Sequence, residues 1–195
     1  MTEEEVTKTV PPLGTLYFYL TGDCNMACRH CWIAPTFEHS DRSQKALPFV
    51  LFQKVITEAK EADLFGVKLT GGEPFIHQDI IPMLRYIRDQ RLKLNIESNG
   101  TAITSHHADL FKSCPGAFIS VSIDGKKENH GWMRGVKGSF ERASQGVKTL
   151  VETGINSQVI MAVAGRNKEE MADLARYAQE LGASSVKYNF VISTA

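Results

Sequence analysis

Short apolar runs alternate with longer amphipathic segments along most of the chain. The runs are rich in β-branched and aromatic residues and are bounded by glycine or polar turn residues, which predicts six strands at 16–21, 66–70, 92–97, 118–123, 158–163 and 186–192. Between them, apolar residues recur every three or four positions, which predicts five helices at 47–64, 79–91, 105–112, 139–152 and about 167–182. Asn167 and Glu170 have the spacing of a capping box at the start of the last helix.

This alternation predicts an α/β fold with a parallel sheet. Successive parallel strands need crossovers of a dozen or more residues, and such crossovers are right-handed. We therefore expect a parallel sheet that curls in one direction over residues 15–195, after a lead-in at 1–14. Five helices for six strands leave no final covering helix, so we expect the outer face and free edge of strand 186–192 to be uncovered. We expect a core domain without a C-terminal extension, either part of a longer polypeptide or an unusually short protein.

Composition narrows the class of protein. With 195 residues, of which 43% are hydrophobic, the chain can bury the core of one domain. Lys plus Arg and Asp plus Glu number 22 each, so the summed charge does not attract nucleic acid or an anionic membrane. The acidic start lacks the features of a secretory signal, and no apolar run reaches the roughly 18 residues of a membrane span. We expect a cytoplasmic protein, in which clustered cysteines are metal ligands or redox groups rather than disulfides.

Three cysteines stand within eight residues, at Cys24, Cys28 and Cys31. Cysteine thiolates are the usual ligands of iron–sulfur clusters, and three of them leave one iron of a four-iron cluster open to a small molecule. A zinc site is the alternative and needs a fourth ligand, for which His30 and His39 are the nearby candidates. The remaining cysteine, Cys114, precedes the fourth strand at the opposite rim, so we expect a buried or partly buried thiol.

Further turn residues follow other predicted strands. They are Gly71-Gly72-Glu73-Pro74, Ser98-Asn99-Gly100 and Asp124-Gly125. Each could be an ordinary tight turn. In parallel α/β barrels, however, the chemistry lies at the carboxyl ends of the strands, and the cysteine loop falls at the same rim. Four unusual loops on one rim favour a shared site over an isolated zinc-binding loop.

These motifs resemble those of the radical S-adenosylmethionine (radical SAM) superfamily, and most closely the core domain of SPASM/twitch-type members that mature peptides or proteins. The resemblance covers residues 15 to 192, and the six strands match the partial (β/α)6 TIM-like barrel that it implies. It rests on the CxxxCxxC spacing, the GGEP turn and Ser122-Ile123-Asp124-Gly125. It implies a [4Fe-4S] cluster on Cys24, Cys28 and Cys31 whose fourth iron binds S-adenosylmethionine. It also implies reductive cleavage to a 5′-deoxyadenosyl radical that takes hydrogen from a peptide or protein, with flavodoxin or ferredoxin as electron donor.

The resemblance also implies roles for seven further residues. His30 would lie beside the adenine, and Asn99 and Ser122 would lie near the cofactor. The backbone of Gly71 and Gly72 and the carboxylate of Glu73 would take the ammonium group of S-adenosylmethionine, since glycines allow close approach and a carboxylate accepts charge-assisted hydrogen bonds. Arg134 would clamp the cofactor carboxylate, or else be a solvated loop cation.

No catalytic residue is assigned beyond the cluster. Glu97, Tyr188 and Asn189 are candidates for the substrate side of the barrel, although inward-facing strand residues are usually core. The rival function is a non-catalytic zinc or iron–sulfur module that holds a partner.

Overall fold

The centre of the fold is a six-stranded parallel sheet. The computed structural model describes residues 13–31, 33 and 46–191. Its strands lie in chain order and each pairs in parallel with the next: β1 Thr15–Tyr19, β2 Gly66–Thr70, β3 Lys93–Ser98, β4 Phe118–Ser122, β5 Asn156–Val163 and β6 Ser185–Phe190. β1 and β6 are the edges of this open sheet. The predicted α/β partial barrel is confirmed, with strand ends within two residues of prediction; Ile192, Ser193, Thr194 and Ala195 lie outside the described residues.

Helices connect the strands. Among the described residues there are six: α1 Phe49–Lys60, α2 Ile80–Asp89, α3 Ser105–Lys112, α4 Lys127–Arg134, α5 Ser139–Glu152 and α6 Met171–Glu180. Single turns of 3₁₀ helix lie at Pro74–Ile76 and Lys168–Glu170. The five-helix prediction is wrong because α4 was not predicted. None of the helices in the described ranges is long and apolar enough to cross a membrane.

The core lies between the helices and the convex face of the sheet. Phe18, Leu69, Ile96 and Ile119 occupy one register position across β1 to β4, and all are buried. The helices bury a matching set against them: Phe52, Ile56, Met83, Leu84, Ile87, Phe111, Val147 and Leu150. Fully burying one large apolar side chain contributes about 1.5–3 kcal/mol. The core thus stabilises the sheet from its helical side only, and the concave face is not needed for the apolar core.

Polar side chains cover much of the concave face. The ammonium group of Lys68 lies 2.6 Å from the Glu97 carboxylate and 5.1 Å from the centre of the Tyr17 ring. Gln158 donates to the Ser185 hydroxyl at 3.0 Å. These residues stand where a packed barrel would hold branched apolar side chains. The interior is therefore not an apolar core.

Asn167 does not have the capping role that was predicted. A 3₁₀ turn intervenes before α6, which begins at Met171. The fully buried Asn167 amide donates to the carbonyls of Asp124 (3.1 Å) and Ala162 (2.9 Å), so it joins the ends of β4 and β5. Glu170 instead accepts from the backbone N–H of Lys126 at 2.7 Å. The capping-box prediction is wrong because the Asn167 side chain binds Ala162, Ala164 and Asp124, and the Glu170 side chain binds Lys126, rather than the first turn of the helix.

The outer face of β6 is partly covered. The Tyr188 hydroxyl donates to the carbonyl of Met171 at 2.7 Å, and Val186 packs against the core from the same side. The expectation of an uncovered outer face is wrong here because α6 lies over it. Phe190 and Val191 remain 70% and 43% exposed.

Candidate active site

The turn after β2 holds one side of the cysteine loop. The N–H of Gly72 donates to the carbonyl of Thr21 at 2.7 Å, and the N–H of Glu73 donates to that of Asp23 at 2.8 Å. A Cβ on Gly72 would lie 2.0 Å from the Asp23 oxygen; Gly71 has φ +120°, and its Cβ would lie 2.8 Å from the Thr21 oxygen. Both glycines are thus required by the close approach of the segment that leads into the first cysteine.

The carboxyl end of α4 holds the other side of the loop. The N–H groups of Ala27 and Arg29 donate to the carbonyls of Arg134 (3.0 Å) and Met133 (2.9 Å). The last carbonyls of a helix have no partner within the helix, so the loop satisfies them. Gly135 follows in the left-handed region with φ 69°, and a Cβ there would lie 2.4 Å from the Ala27 oxygen. The helix that was not predicted is therefore a support of the cysteine loop.

The three thiols line one cavity. Cys24, Cys28 and Cys31 face a space of about 540 Å³ that reaches the concave face of the sheet. The other predicted site residues on its wall are His30, Gly71, Gly72, Asn99, Ser122 and Arg134. Glu97 and Asn189 also line it, whereas Tyr188 turns to α6. The structure thus brings together every predicted site residue except Glu73.

Hydrogen-bond donors approach two of the sulfurs. The Asn99 amide nitrogen lies 3.8 Å from Cys24 Sγ, and Arg134 Nη1 lies 3.6 Å from Cys28 Sγ. Burial raises the pKa of Cys24 to about 11. Burial also raises the pKa of Cys28, while Arg134 acts to lower it. Without a metal, the Cys24 thiol is therefore protonated at neutral pH, and a metal that binds it would displace that proton.

Glu73 lies behind the cavity wall. Its Oε1 accepts from the Ser98 hydroxyl (2.8 Å) and the N–H of Phe75 (3.1 Å), and its Oε2 accepts from the N–H of Asn99 (2.7 Å). The side chain is fully buried; burial raises the pKa of its carboxyl, and the three hydrogen bonds oppose that rise. The geometry favours a positioning role, which joins the turns after β2 and β3, over the direct ammonium contact expected from the sequence.

Asn99 joins the end of β3 to the cysteine loop. Its Nδ2 donates to Asn25 Oδ1 at 2.7 Å, and its Oδ1 accepts from the N–H and the hydroxyl of Thr101 at 2.9 and 2.7 Å. The Asn25 amide in turn donates to the Thr101 hydroxyl at 3.0 Å. This closed set of hydrogen bonds holds the first residue after Cys24 against the sheet.

Arg134 is buried, so the alternative of a solvated loop cation is wrong. Its Nε lies 2.7 Å from Asp124 Oδ2, and only 9% of the residue is exposed. Burial lowers the pKa of Arg134, but Asp124 and Cys28 together raise it above its ordinary value. No sequence pattern predicts this pair, because its members are ten positions apart and Arg134 stands at the far end of α4.

His30 lines the cavity, and one of its ring nitrogens is buried. Its Nδ1 is buried and has no hydrogen-bond partner among the described residues. Burial and the nearby Arg134 lower the pKa of His30, so the ring is neutral at pH 7. A buried ring nitrogen without a partner is costly unless a ligand or water satisfies it.

A zinc site would need several ligand side chains that converge on one point. Within residues 13–31, 33 and 46–191, no three Cys, His, Asp or Glu side chains converge as ligands of one metal ion. His39, the second candidate for a zinc ligand, lies outside the described residues. Cys114 is buried on the helical side, where its thiol faces the carbonyl of Leu110 at 3.6 Å, as expected of a packing thiol.

Comparison with known proteins identifies the family. The family model of the radical SAM superfamily matches residues 18–178. The chain belongs to the radical SAM superfamily. The matched range runs from β1 through most of α6. It includes all the residues that line the cavity except Tyr17, Asn189, Phe190 and Val191.

Relatives of this chain include a protein named for bacteriocin biosynthesis and a heme synthase. It is 31% identical over 176 residues to the antilisterial bacteriocin subtilosin biosynthesis protein AlbA of Bacillus subtilis, covering 89% of this chain and 38% of AlbA. It is 32% identical over 176 residues to the AdoMet-dependent heme synthase of Methanosarcina barkeri, covering 90% of this chain and 50% of the synthase.

A solved structure shares the fold. Streptococcus suis SuiB bound to S-adenosylmethionine matches with a TM-score of 0.79 at 19% identity, over 94% of this chain and 42% of SuiB. The chain thus spans half or less of the length of these three proteins.

Proposed function

We propose that the chain is the cofactor-binding core of a radical SAM enzyme that modifies a peptide or protein. The observation that carries this proposal is the position of Cys24, Cys28 and Cys31 on one wall of a cavity lined by the other predicted cofactor residues. When bound, a reduced [4Fe-4S] cluster supplies one electron that cleaves S-adenosylmethionine, and the resulting 5′-deoxyadenosyl radical takes hydrogen from the substrate.

The donor set fits such a cluster. Three thiols suit iron, and the donors on Asn99 and Arg134 face two of the sulfurs, where they stabilise negative charge. Zinc holds its ligands at about 2.3 Å from one point. A four-iron cluster takes each thiolate on a different iron, and three cysteines on one cavity wall supply three of the four iron ligands.

The remaining cavity residues suit S-adenosylmethionine. The Gly71 and Gly72 backbone lines the cavity, and the His30 ring on the same wall can lie beside the adenine. Ser122 and Arg134 can hold the carboxylate, because an arginine fork binds that group with two hydrogen bonds. These residues orient the cofactor while the loop and the sheet exclude water from it.

The polar concave face supports a substrate within the barrel. Beyond the cysteines, the cavity continues over Lys68 and Glu97 to Asn189 at the open edge. AlbA, named for bacteriocin biosynthesis, and SuiB, solved with the precursor peptide SuiA, favour a peptide substrate. The electron would come from a reduced flavodoxin or ferredoxin.

The test is cleavage of S-adenosylmethionine by the anaerobically reconstituted protein. With dithionite, we expect about four irons per chain, methionine and 5′-deoxyadenosine. Cys28→Ala should lose both iron and cleavage, while Cys114→Ala is the matched control, since that thiol packs on the helical side and should change neither. Tightly bound zinc without iron absorption would contradict the proposal. Mass spectrometry of a co-expressed candidate peptide tests the substrate class.

A further inference from the structure

We propose that Asp124 is a positioning residue of the cofactor site, acting through the guanidinium of Arg134. It holds one edge of the guanidinium so that the other edge faces the cavity, ready for a carboxylate. This inference rests on the proposed function, because the carboxylate concerned is that of S-adenosylmethionine.

Asp124 itself is fixed from several sides. It is fully buried, and its Oδ1 accepts from the N–H of Ala162 on β5 at 2.8 Å. Its own N–H donates to His130 Nδ1 at 3.2 Å, and its carbonyl accepts from Asn167 at 3.1 Å. These contacts join β4, α4 and β5, so neither the backbone nor the carboxylate of Asp124 can turn without breaking others.

Arg134 is fixed at its backbone and at one side-chain atom. Its carbonyl accepts from Ala27 in the cysteine loop, and its Nε lies 2.7 Å from Asp124 Oδ2. The contact is an ion pair rather than an aligned hydrogen bond, because neither Nε nor Oδ2 has a hydrogen-bond partner among the described residues. It holds the planar guanidinium by charge, and the remaining N–H groups of the plane are positioned with it. One of these, on Nη1, reaches Cys28 Sγ at 3.6 Å, and the residue lines the cavity beside Ser122.

The location of the pair favours positioning over stability. A buried ion pair is weak evidence for stability, because desolvation offsets much of its attraction and an apolar pair of similar volume often serves as well. Here Arg134 lines the cavity, and Asp124 is fully buried beside it. A charged group held in one orientation is what recognition of a carboxylate requires.

The experiment measures S-adenosylmethionine binding to the oxidised holo-protein by calorimetry, without turnover. Asp124→Asn keeps an acceptor for Ala162 but removes the charge beside Arg134, so we expect affinity to fall about ten- to a hundredfold with iron content unchanged. Asp173→Asn is the matched control, since this half-buried aspartate pairs with Lys126 and Arg176, outside the cavity, and should leave affinity unchanged.

A double variant separates a positioning role of Asp124 from a general structural effect. In Arg134→Met, which also binds weakly, adding Asp124→Asn should cause no further loss of affinity, because the two residues act as a unit. If Asp124→Asn does not assemble a cluster, Arg134→Lys provides the test: it keeps the charge without the fork and should bind about tenfold more weakly. Wild-type affinity in an iron-loaded variant of either residue would overturn the inference, whereas a wild-type protein without iron would instead overturn the proposed function.

Discussion

Gly72→Ala probes the contact between the turn after β2 and the cysteine loop. The new Cβ would lie 2.0 Å from the oxygen and 2.6 Å from the carbonyl carbon of Asp23. Real Cβ contacts essentially never fall below 3.0 Å, so the two segments would have to separate by about 1 Å. Because the obstacle is backbone, no side-chain rotation can relieve it, and Cys24 would move with its neighbour.

The cost follows from the two hydrogen bonds across this contact. Gly72 to Thr21 is 2.7 Å and Glu73 to Asp23 is 2.8 Å. Each such bond contributes about 0.5–1.5 kcal/mol net, so losing both lowers the free energy of unfolding by about 1–3 kcal/mol. We expect the iron content after reconstitution to fall as well, because the first cysteine is no longer held in place.

Urea unfolding and iron analysis measure the two effects. Gly131→Ala is the matched control: a Cβ at this position in α4 meets nothing within 4 Å. Alanine is the better helix former, so this variant should be as stable as wild type or more so by about 0.5–1 kcal/mol. If Gly72→Ala matches wild type in both stability and iron, the close approach is not what requires a glycine here.

Two other variants test buried groups near the site. Glu73→Gln leaves at least one of the donors Ser98, Phe75 and Asn99 without its acceptor, so urea unfolding should show a loss of about 1–3 kcal/mol; equal stability would argue against the hydrogen-bond network. For His130, burial and then Arg134 lower the pKa to about 4 in the folded protein. Since the unfolded chain takes up the proton near pH 6.5, stability should fall by roughly 2 kcal/mol from pH 7 to 5; His130→Gln should flatten this dependence, and an unchanged slope would contradict the assignment.

Local patterning sufficed for the sheet and most helices. Strands such as β2 are short, apolar and bounded by glycine, and helices such as α5 bury a regular stripe. α4 gave no such signal, because the residues it buries are His130, Met133 and Arg134, and a glycine interrupts it. The contacts that stabilise α4 are with the cysteine loop and α5. Such contacts leave no periodic pattern of apolar residues in the sequence.

The sequence predicts those parts of the site whose residues stand close together in the chain. The three cysteines and the double glycine are close in sequence, so their residue types alone suggest ligands and a tight approach. The partners of Glu73 and Arg134 are far away in sequence. Asn99 stands 26 positions after Glu73, and Cys28 stands 106 positions before Arg134. Only the fold shows that the glutamate carboxylate joins two turns behind the cavity wall.

The account's central claim is that three thiols leave one iron open to S-adenosylmethionine, and electron paramagnetic resonance of the reduced protein tests it most directly. Wild-type protein should give the signal of one reduced [4Fe-4S] cluster, and added S-adenosylmethionine should change that signal because it binds the fourth iron. Cys24→Ala, Cys28→Ala and Cys31→Ala should each lose it. A cluster signal that does not respond to S-adenosylmethionine, or that persists in all three variants, would contradict the claim.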